Sequence, residues 1–410
     1  DIGDGTYLAQ LLAAMVGIVN AAEYGRLIHD CWLRRELIEV GAALVNRAFG
    51  SEPQMDGPGI RDAADTALAQ LAEQSAGGAL VPMADVAGAA VDGMLEAIDR
   101  GGGLAGITTG LAGLDRMTGG LRPGQLFVIG ARASMGKTAL GARLGWGMAA
   151  AGVRVLFVTI EMQPQAIGAR ILAGTCGLNL STVLRGLRIG ADGRPEPLTR
   201  HAREVGEVAE AARRLGQLPI AWMYHGAPTT AQIRGHARGL ARRSGLDAII
   251  IDYLGLCRPA APLREGNRVQ EVGAITRECK AMAVDLGVPV VLLSQLSRAV
   301  ESREDQRPRM SDLRDSGEIE QHSDVIGLLY REHYYLVRNK PARKPREKLE
   351  DYEARVFEWM ERVRRAEGRA ELDIAKNRQG PAGPVRLLFR DVSAWFADET
   401  EETQETHGDL

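Results

Sequence analysis

Leu126-Phe127-Val128-Ile129-Gly130 runs directly into Ala131-Arg132-Ala133-Ser134-Met135-Gly136-Lys137-Thr138, followed by Ala139-Leu140-Gly141-Ala142-Arg143-Leu144. An apolar run of this length reads as a buried strand, and the segment after Gly136 reads as a helix. A loop between the two turns successive backbone N–H groups inward and adds the positive end of the helix, which together cradle the phosphates of a nucleotide. Ala131 to Ala139 are the residues expected to line that cradle. Lys137 reaches the terminal phosphates and the Thr138 hydroxyl ligates Mg²⁺. The usual pattern starts with Gly where this chain has Ala131, with Gly130 just before it. The reading is a site for a nucleoside triphosphate and Mg²⁺.

The surrounding composition sets limits. Apolar residues at 45% and charged residues at 25% of 410 positions describe an ordinary globular chain with ample core. Cys31, Cys176, Cys257 and Cys279 lie far apart with no C-x-x-C spacing, which disfavours structural zinc and a disulfide framework and fits a reducing cytoplasm. No apolar run approaches ~18 residues, so no membrane-spanning helix is expected. A net charge of −3 gives no global attraction to nucleic acid, so any DNA role must rest on a few local contacts.

Along the chain, Tyr7–Phe49 has helical periodicity, Ser51–Gly59 breaks it, and Ile60–Gln74 is a further Ala-rich helix. Asp85–Arg100 reads as an amphipathic helix that Gly101-Gly102-Gly103 terminates. This front section is either a helical cap on the core or a region ending in a linker helix that docks on a neighbouring subunit. From Gly106 onward strands alternate with helices: Leu126–Ile129, Arg154–Thr159, Ala248–Ile251, Val288–Leu293 and Val325–Leu329, then the pair Leu372–Ala375 and Val385–Phe389. That alternation predicts an α/β fold with a mostly parallel sheet and a terminal hairpin. Arg338–Arg369 is a charged insertion ending in a helix over Glu347–Ala366, and its interleaved acids make a solvated element more apt than a DNA-binding one. The expected organisation is a helical region over 1–80, a linker over 81–105, a nucleotide-binding domain over 106–397 and an acidic tail over 398–410.

Hydrolysis needs a carboxylate for the metal shell, a base for water and donors for developing negative charge. Asp252 closes the run Ala248-Ile249-Ile250-Ile251 and is the candidate for the Mg²⁺ shell. Glu161 follows Val155–Ile160 and is the candidate base. Gln295 ends Val290–Ser294, where its amide can respond to the γ-phosphate. Lys376 and Arg378, in Lys376-Asn377-Arg378-Gln379-Gly380, lie between the late strands. From spacing they could serve their own nucleotide, a neighbour's, or nothing specific.

In order, these segments resemble the DnaB-type replicative DNA helicases, hexameric motors of the RecA-like superfamily. The resemblance rests on Gly106-Ile107-Thr108-Thr109-Gly110 through Asp115, the phosphate loop, Glu161-Met162, Ile251-Asp252-Tyr253-Leu254 and Leu293-Ser294-Gln295-Leu296-Ser297-Arg298. It continues through Ser311-Asp312-Leu313-Arg314-Asp315-Ser316-Gly317 and Lys376-Asn377-Arg378-Gln379-Gly380-Pro381. It covers Gly106 to about Phe396 and implies a RecA-like P-loop core. It implies the roles given above for Lys137, Thr138, Glu161, Asp252 and Gln295. It makes Arg378 an arginine finger reaching the adjacent subunit's ATP, with Lys376 as companion. It places single-stranded DNA against Arg314, Asp315 and Gly317, and implies a homohexamer travelling 5′ to 3′, with primase and a helicase loader as partners.

Asp315 stands where the family usually has Glu, and the 338–369 insertion is longer than the commonest form. A start at Asp1 without Met fits an expectation that the front of the helical domain is missing. Two other readings compete: a RadA-like branch-migration ATPase, whose Lys-Asn-Arg-Phe-Gly this chain's hairpin approaches, and a non-catalytic ATP-switch scaffold. Stimulation of hydrolysis by single-stranded DNA, followed by unwinding of a tailed duplex, separates them.

Overall fold

The computed structural model describes residues 21–50, 56–75, 82–99, 104–189, 194–260, 268–313 and 316–399. The expectations for residues 7–20, for Arg314 and Asp315, and for the tail beyond Glu399 lie outside the described residues. The chain divides into two units, Asp1–Gly88 and Ala89–Leu410. In the first, α1 (Ala21–Ala48) packs on α2 (Gly57–Ser75), with Leu71 buried. Helix α3 (Met83–Asp99) matches the expected amphipathic segment, and its Val86, Val91, Met94, Leu95 and Ile98 are exposed. Among the described residues no helix is long and apolar enough to cross a membrane.

The second unit is built on α4 (Ala112–Thr118), β1 (Leu126–Ala131), α5 (Lys137–Ala150), β2 (Val155–Thr159), α6 (Pro164–Cys176) and α7 (Leu180–Arg185). A small hairpin, β3 (Leu187–Ile189) and β4 (Pro195–Pro197), leads to α8 (Ala202–Leu215) and β5 (Ile220–Tyr224). Next come α9 (Thr230–Ser244), β6 (Ala248–Asp252), α10 (Arg268–Leu286), β7 (Val290–Gln295), the short α11 (Ser316–His322) and β8 (Val325–Tyr330). The chain continues through α12 (Glu332–Arg338), α13 (Leu349–Ala366), β9 (Arg369–Asn377), β10 (Gly383–Arg390) and β11 (Trp395–Asp398).

Nine strands form one sheet in the order β11-β10-β9-β8-β1-β7-β6-β2-β5. The six strands from β8 to β5 are parallel, and β9, β10 and β11 are antiparallel additions. Strands β1 and β6 are buried along their whole length, because helices cover both faces of a parallel sheet and an unbroken apolar run suits that position. Strand alternation divides the core: Phe127 and Ile129 join Leu140, Phe157 and Phe396 on one face, whereas Leu126 and Val128 join Ile233, Ile249 and Ile275 on the other.

Two elements depart from expectation. Strand β5 forms the sheet edge, where Ile220–Met223 are only half-buried, and that mixed exposure hides its periodicity. Strand β11 has four residues, too few for a pattern, and it includes Asp398, expected in the acidic tail. The Asp398 carboxylate instead accepts the Ala112 and Gly113 N–H groups at 2.9 Å, capping α4. The charged insertion carries the expected helix as α13, which packs on α12. Trp359 donates its indole N–H to the Leu336 carbonyl at 2.9 Å, and Arg362 pairs with Glu332 at 2.7 Å.

Candidate active site

In parallel α/β sheets the loops after the strand C-termini form the ligand crevice. Here the tips of β1, β7, β6 and β2 lie side by side there, with Ala131 opposite Gln295 and Thr159 opposite Asp252. Four sequence-predicted groups therefore converge: the phosphate loop, Gln295, Asp252 and Glu161.

The loop leaves β1 at Ala131 and enters α5 at Lys137. Ser134 has φ of 65° and Gly136 has φ of 97°, left-handed values that turn the chain tightly. A Cβ at Gly136 would lie 3.0 Å from the Phe396 ring and 3.3 Å from Phe389, so glycine lets the loop seat on the last strands. Ala133 and Ser134 are exposed at the rim, whereas the Met135 and Ala139 side chains are buried. Gly136 caps α5 without a side-chain acceptor, so the first turn's N–H groups face the loop in the way that suits an anion. The Arg132 side chain does not face the cradle: it pairs with Glu301 at 2.7 Å and donates to the Leu296 carbonyl at 2.8 Å. Only its backbone is placed to contact a phosphate, and the side chain braces the loop against the segment after Gln295.

Lys137 Nζ stands 3.0 Å from Asp252 Oδ1 and 3.5 Å above the Tyr253 ring. Burial lowers its pKa below the ordinary lysine value, against the opposing pull of Asp252 and, more weakly, Glu161. Asp252 is 1% exposed, yet neither carboxylate oxygen has a hydrogen bond of proper geometry among the described residues. A buried carboxylate whose Oδ1 meets the Lys137 ammonium and whose Oδ2 has no partner among the described residues fits the hydrated shell of a divalent cation. No cluster of three or more His, Cys, Asp or Glu suits a metal among the described residues.

Glu161 is exposed at the β2 tip. The Thr159 hydroxyl donates to the Met162 carbonyl at 2.5 Å, and Ile160 N–H donates to the Asp252 carbonyl at 2.9 Å, which fixes the turn presenting it. Gln295 is followed by Leu296, which bridges to Leu313, and by Ser297, whose N–H donates to the Asp312 carbonyl at 2.8 Å. The strand tip nearest the phosphates is thus stitched to the segment just before Arg314. Gly317, in the first turn of α11, is exposed.

Lys376 and Arg378 are not in this crevice. Strand β9 runs antiparallel to β8, and its end at Asn377 pairs with Val325, the first residue of β8. Val325 in turn pairs with Phe127, near the start of β1. The two cations therefore lie at the opposite edge of the sheet from Ala131, about 15 Å away at ~3.3 Å per residue. They cannot serve their own chain's nucleotide.

The model of the DnaB-like helicase C-terminal domain matches residues 106–398. This chain belongs to the DnaB-like helicases. Its relatives include the replicative DNA helicase DnaB of Rickettsia bellii, 33% identical over 399 residues, covering 93% of this chain and 76% of that one. That of Geobacillus stearothermophilus is 32% identical over 390 residues, covering 95% and 77%. Among solved structures, an ATPase domain aligns with a TM-score of 0.61 at 29% identity, covering 76% of this chain and 98% of that one. A DnaB-like replicative helicase described with its interactions with primase aligns with a TM-score of 0.70 at 25% identity, covering 96% and 83%.

Two features of this DnaB-like helicase escaped the sequence reading. Arg170 on α6 is half-buried, its pKa lowered by burial and supported by the charges of Asp252 and Glu161, so a second cation borders the crevice. Its only sequence signal is a position one helix beyond Glu161. Asp115 explains the Gly106–Asp115 motif structurally. Its carboxylate accepts the Thr108 hydroxyl at 2.5 Å, the Thr109 hydroxyl at 2.7 Å and the Thr109 N–H at 2.8 Å, which ties that segment to α4.

Proposed function

We propose that this chain is an ATP-dependent replicative DNA helicase that works as a ring of identical subunits, each ATP held between two neighbours. The observation carrying this reading is the register that sets Lys376 and Arg378 at the sheet edge remote from their own phosphate loop. In a head-to-tail ring, Lys376 and the exposed Arg378 of one subunit face the crevice of the next. Family membership favours the helicase over the branch-migration and scaffold readings.

In this mechanism Lys137 leaves Asp252 and takes up the β- and γ-phosphates, which also relieves the cost of its burial. Thr138 and Asp252 would hold the shell of a Mg²⁺ ion, which would supply charge neutralisation at the phosphate oxygens. Glu161 accepts the proton of the attacking water. The neighbour's Arg378, with Lys376, stabilises the charge that develops on the transferred phosphoryl group. Gln295 hydrogen-bonds the γ-phosphate, and its loss moves the Leu296–Leu313 bridge and hence the loop of Arg314, Asp315 and Gly317 on the strand. A basic side chain and backbone N–H groups there track phosphates without reading bases. Six subunits sharing one strand make weak individual contacts sufficient despite the net charge of −3.

The division into a helical region over 1–80, a linker over 81–105, the ATPase domain over 106–397 with its 338–369 insertion, and an acidic tail belongs to the same proposal. Helix α3 then docks its exposed apolar side chains on an adjacent subunit, and the helical region meets primase and a loader. Travel is 5′ to 3′ on the encircled strand. The test is ATP turnover with and without single-stranded DNA, and unwinding of a tailed duplex. Arg378→Ala should retain ATP binding and ring assembly but lose DNA-stimulated hydrolysis. Normal turnover in that variant refutes the reading.

A further inference from the structure

Arg378 is held from behind. One guanidinium nitrogen donates to the Gln321 carbonyl at 2.6 Å, another reaches Asp324 Oδ1 at 3.3 Å, and the Arg378 N–H donates to the Asp324 carbonyl at 3.0 Å. Lys376 Nζ donates to the Glu320 carbonyl. The Gln321 and Glu320 carbonyls belong to the last turn of α11, where the negative end of the helix favours cations. Asp324 itself is 7% exposed and anchored twice more, by the Leu126 N–H at 2.8 Å and by Lys280 Nζ at 2.6 Å. Lys280 is fixed in turn on the Gly124 carbonyl at 2.8 Å. The Arg378 side chain remains 47% exposed. A guanidinium has five N–H donors in a rigid fork, so two can be gripped while others stay presented outward.

We propose that Asp324 and the carbonyl end of α11 form a seat that aims Lys376 and Arg378 at the neighbouring subunit's nucleotide. This proposal rests on the reading of Arg378 as a trans-acting group. Asp324 is a positioning residue: it touches no nucleotide and acts through the arginine. The seat also gives α11 two functional ends. Its first turn holds Ser316 and Gly317, at the loop assigned to DNA, and its last turn holds the two cations. A seven-residue helix spans only about 10 Å at 1.5 Å per residue, so its two ends lie close together. One side of that helix rests on the core, where Ile319 is buried and Glu318 pairs with Arg277 at 2.7 Å. Burial and the adjacent Arg378 charge both lower the Lys376 pKa, as expected of two cations packed side by side on one support.

The test is Asp324→Asn, which keeps shape and an acceptor for the Leu126 N–H but removes the charge facing Arg378. DNA-stimulated kcat should fall about tenfold, the size expected for one charge-assisted hydrogen bond, with KM for ATP changed less than about twofold. Subunit mixing then separates aiming from damage. Asp324→Asn subunits retain an intact phosphate loop, and Lys137→Ala subunits retain an intact seat and finger. Where the second sits beside the first, a complete site forms, so mixing two deficient proteins restores hydrolysis.

Arg378→Ala mixed with Lys137→Ala is the parallel mixture for the trans reading alone. Recovery in both mixtures supports the seat. Recovery with Arg378→Ala but not with Asp324→Asn overturns the seat and leaves the trans finger standing. Recovery in neither overturns both. Unchanged kcat in Asp324→Asn also overturns the seat. If Asp324→Asn fails to assemble, Arg378→Lys reads the same device, because an ammonium lacks the planar fork. It should be as defective as Arg378→Ala, and near-normal turnover overturns the proposal.

Discussion

Asp252→Asn and Lys137→Met form a double-mutant cycle whose outcome can be worked from the ion pair in the nucleotide-free crevice. The charges are 3.0 Å apart, with side-chain exposures of 12% and 1%. At an effective dielectric of about 20 their attraction is about 5 kcal/mol. Burial of Lys137 outweighs the pull of Asp252 on its pKa, so desolvation offsets that attraction. Asp252→Asn alone leaves a buried ammonium supported by Glu161 and the Tyr253 ring, and should cost about 2 kcal/mol of stability. Lys137→Met alone leaves the Asp252 carboxylate buried without its cation, at a similar cost of about 2 kcal/mol. Together they remove both charges, and the double variant should be close to the parent, a coupling of about 4 kcal/mol. Urea unfolding of the four proteins without nucleotide reads the cycle, with midpoints converted through a common slope. Strictly additive losses would refute the pairing. ATP binding provides the opposing arm, since all three variants should bind ATP–Mg²⁺ weakly even where stability returns.

Glu161→Gln should retain ATP binding and lower single-turnover hydrolysis about 10²- to 10⁴-fold, the range for losing a general base; a smaller loss would move the base elsewhere. Because burial lowers the Lys137 pKa from 10.5, ATP affinity should begin to fall at a lower pH than an ordinary lysine would give. The sign follows from the charge: the protonated amine binds phosphate, so affinity is complete at low pH and lost as pH rises through the lowered pKa. Titration calorimetry from neutral to alkaline pH checks it, with Lys137→Met expected to lack that step. Arg314→Ala should weaken single-stranded DNA binding and flatten its dependence on salt by about one counterion, measured by fluorescence anisotropy across ionic strengths. An unchanged salt slope removes Arg314 from the DNA contact.

What could be read from the chain follows from how each signal is encoded. Leu126–Ile129 and Ala248–Ile251 announced central strands because burial on both faces demands an unbroken apolar run. Asp252, Glu161 and Gln295 were legible because each ends such a run, and strand ends in a parallel sheet share one edge. Ile220–Tyr224 was not legible, because an edge strand tolerates mixed polarity. Arg132 shows the reverse limit: its place in the loop was plain, but the direction of its side chain depends on Glu301, far along the chain. Lys376 and Arg378 were visible as cations without an address. The pairing of Asn377 with Val325, a long-range register, supplied it. Asp324 meets Leu126, Lys280 and Arg378, all distant in sequence, and no local pattern marks it.

The packing of Gly136 against Phe389 and Phe396 bears on the order of events at the ribosome. Gly174 is equally dependent on a late residue: a Cβ there would lie 2.2 Å from Trp395, so the helix after Glu161 leans on the same strand. The residues that pack beneath the phosphate loop are thus translated long after the loop itself. A nascent chain holding the whole phosphate loop still lacks its floor until Phe389, Trp395 and Phe396 have followed.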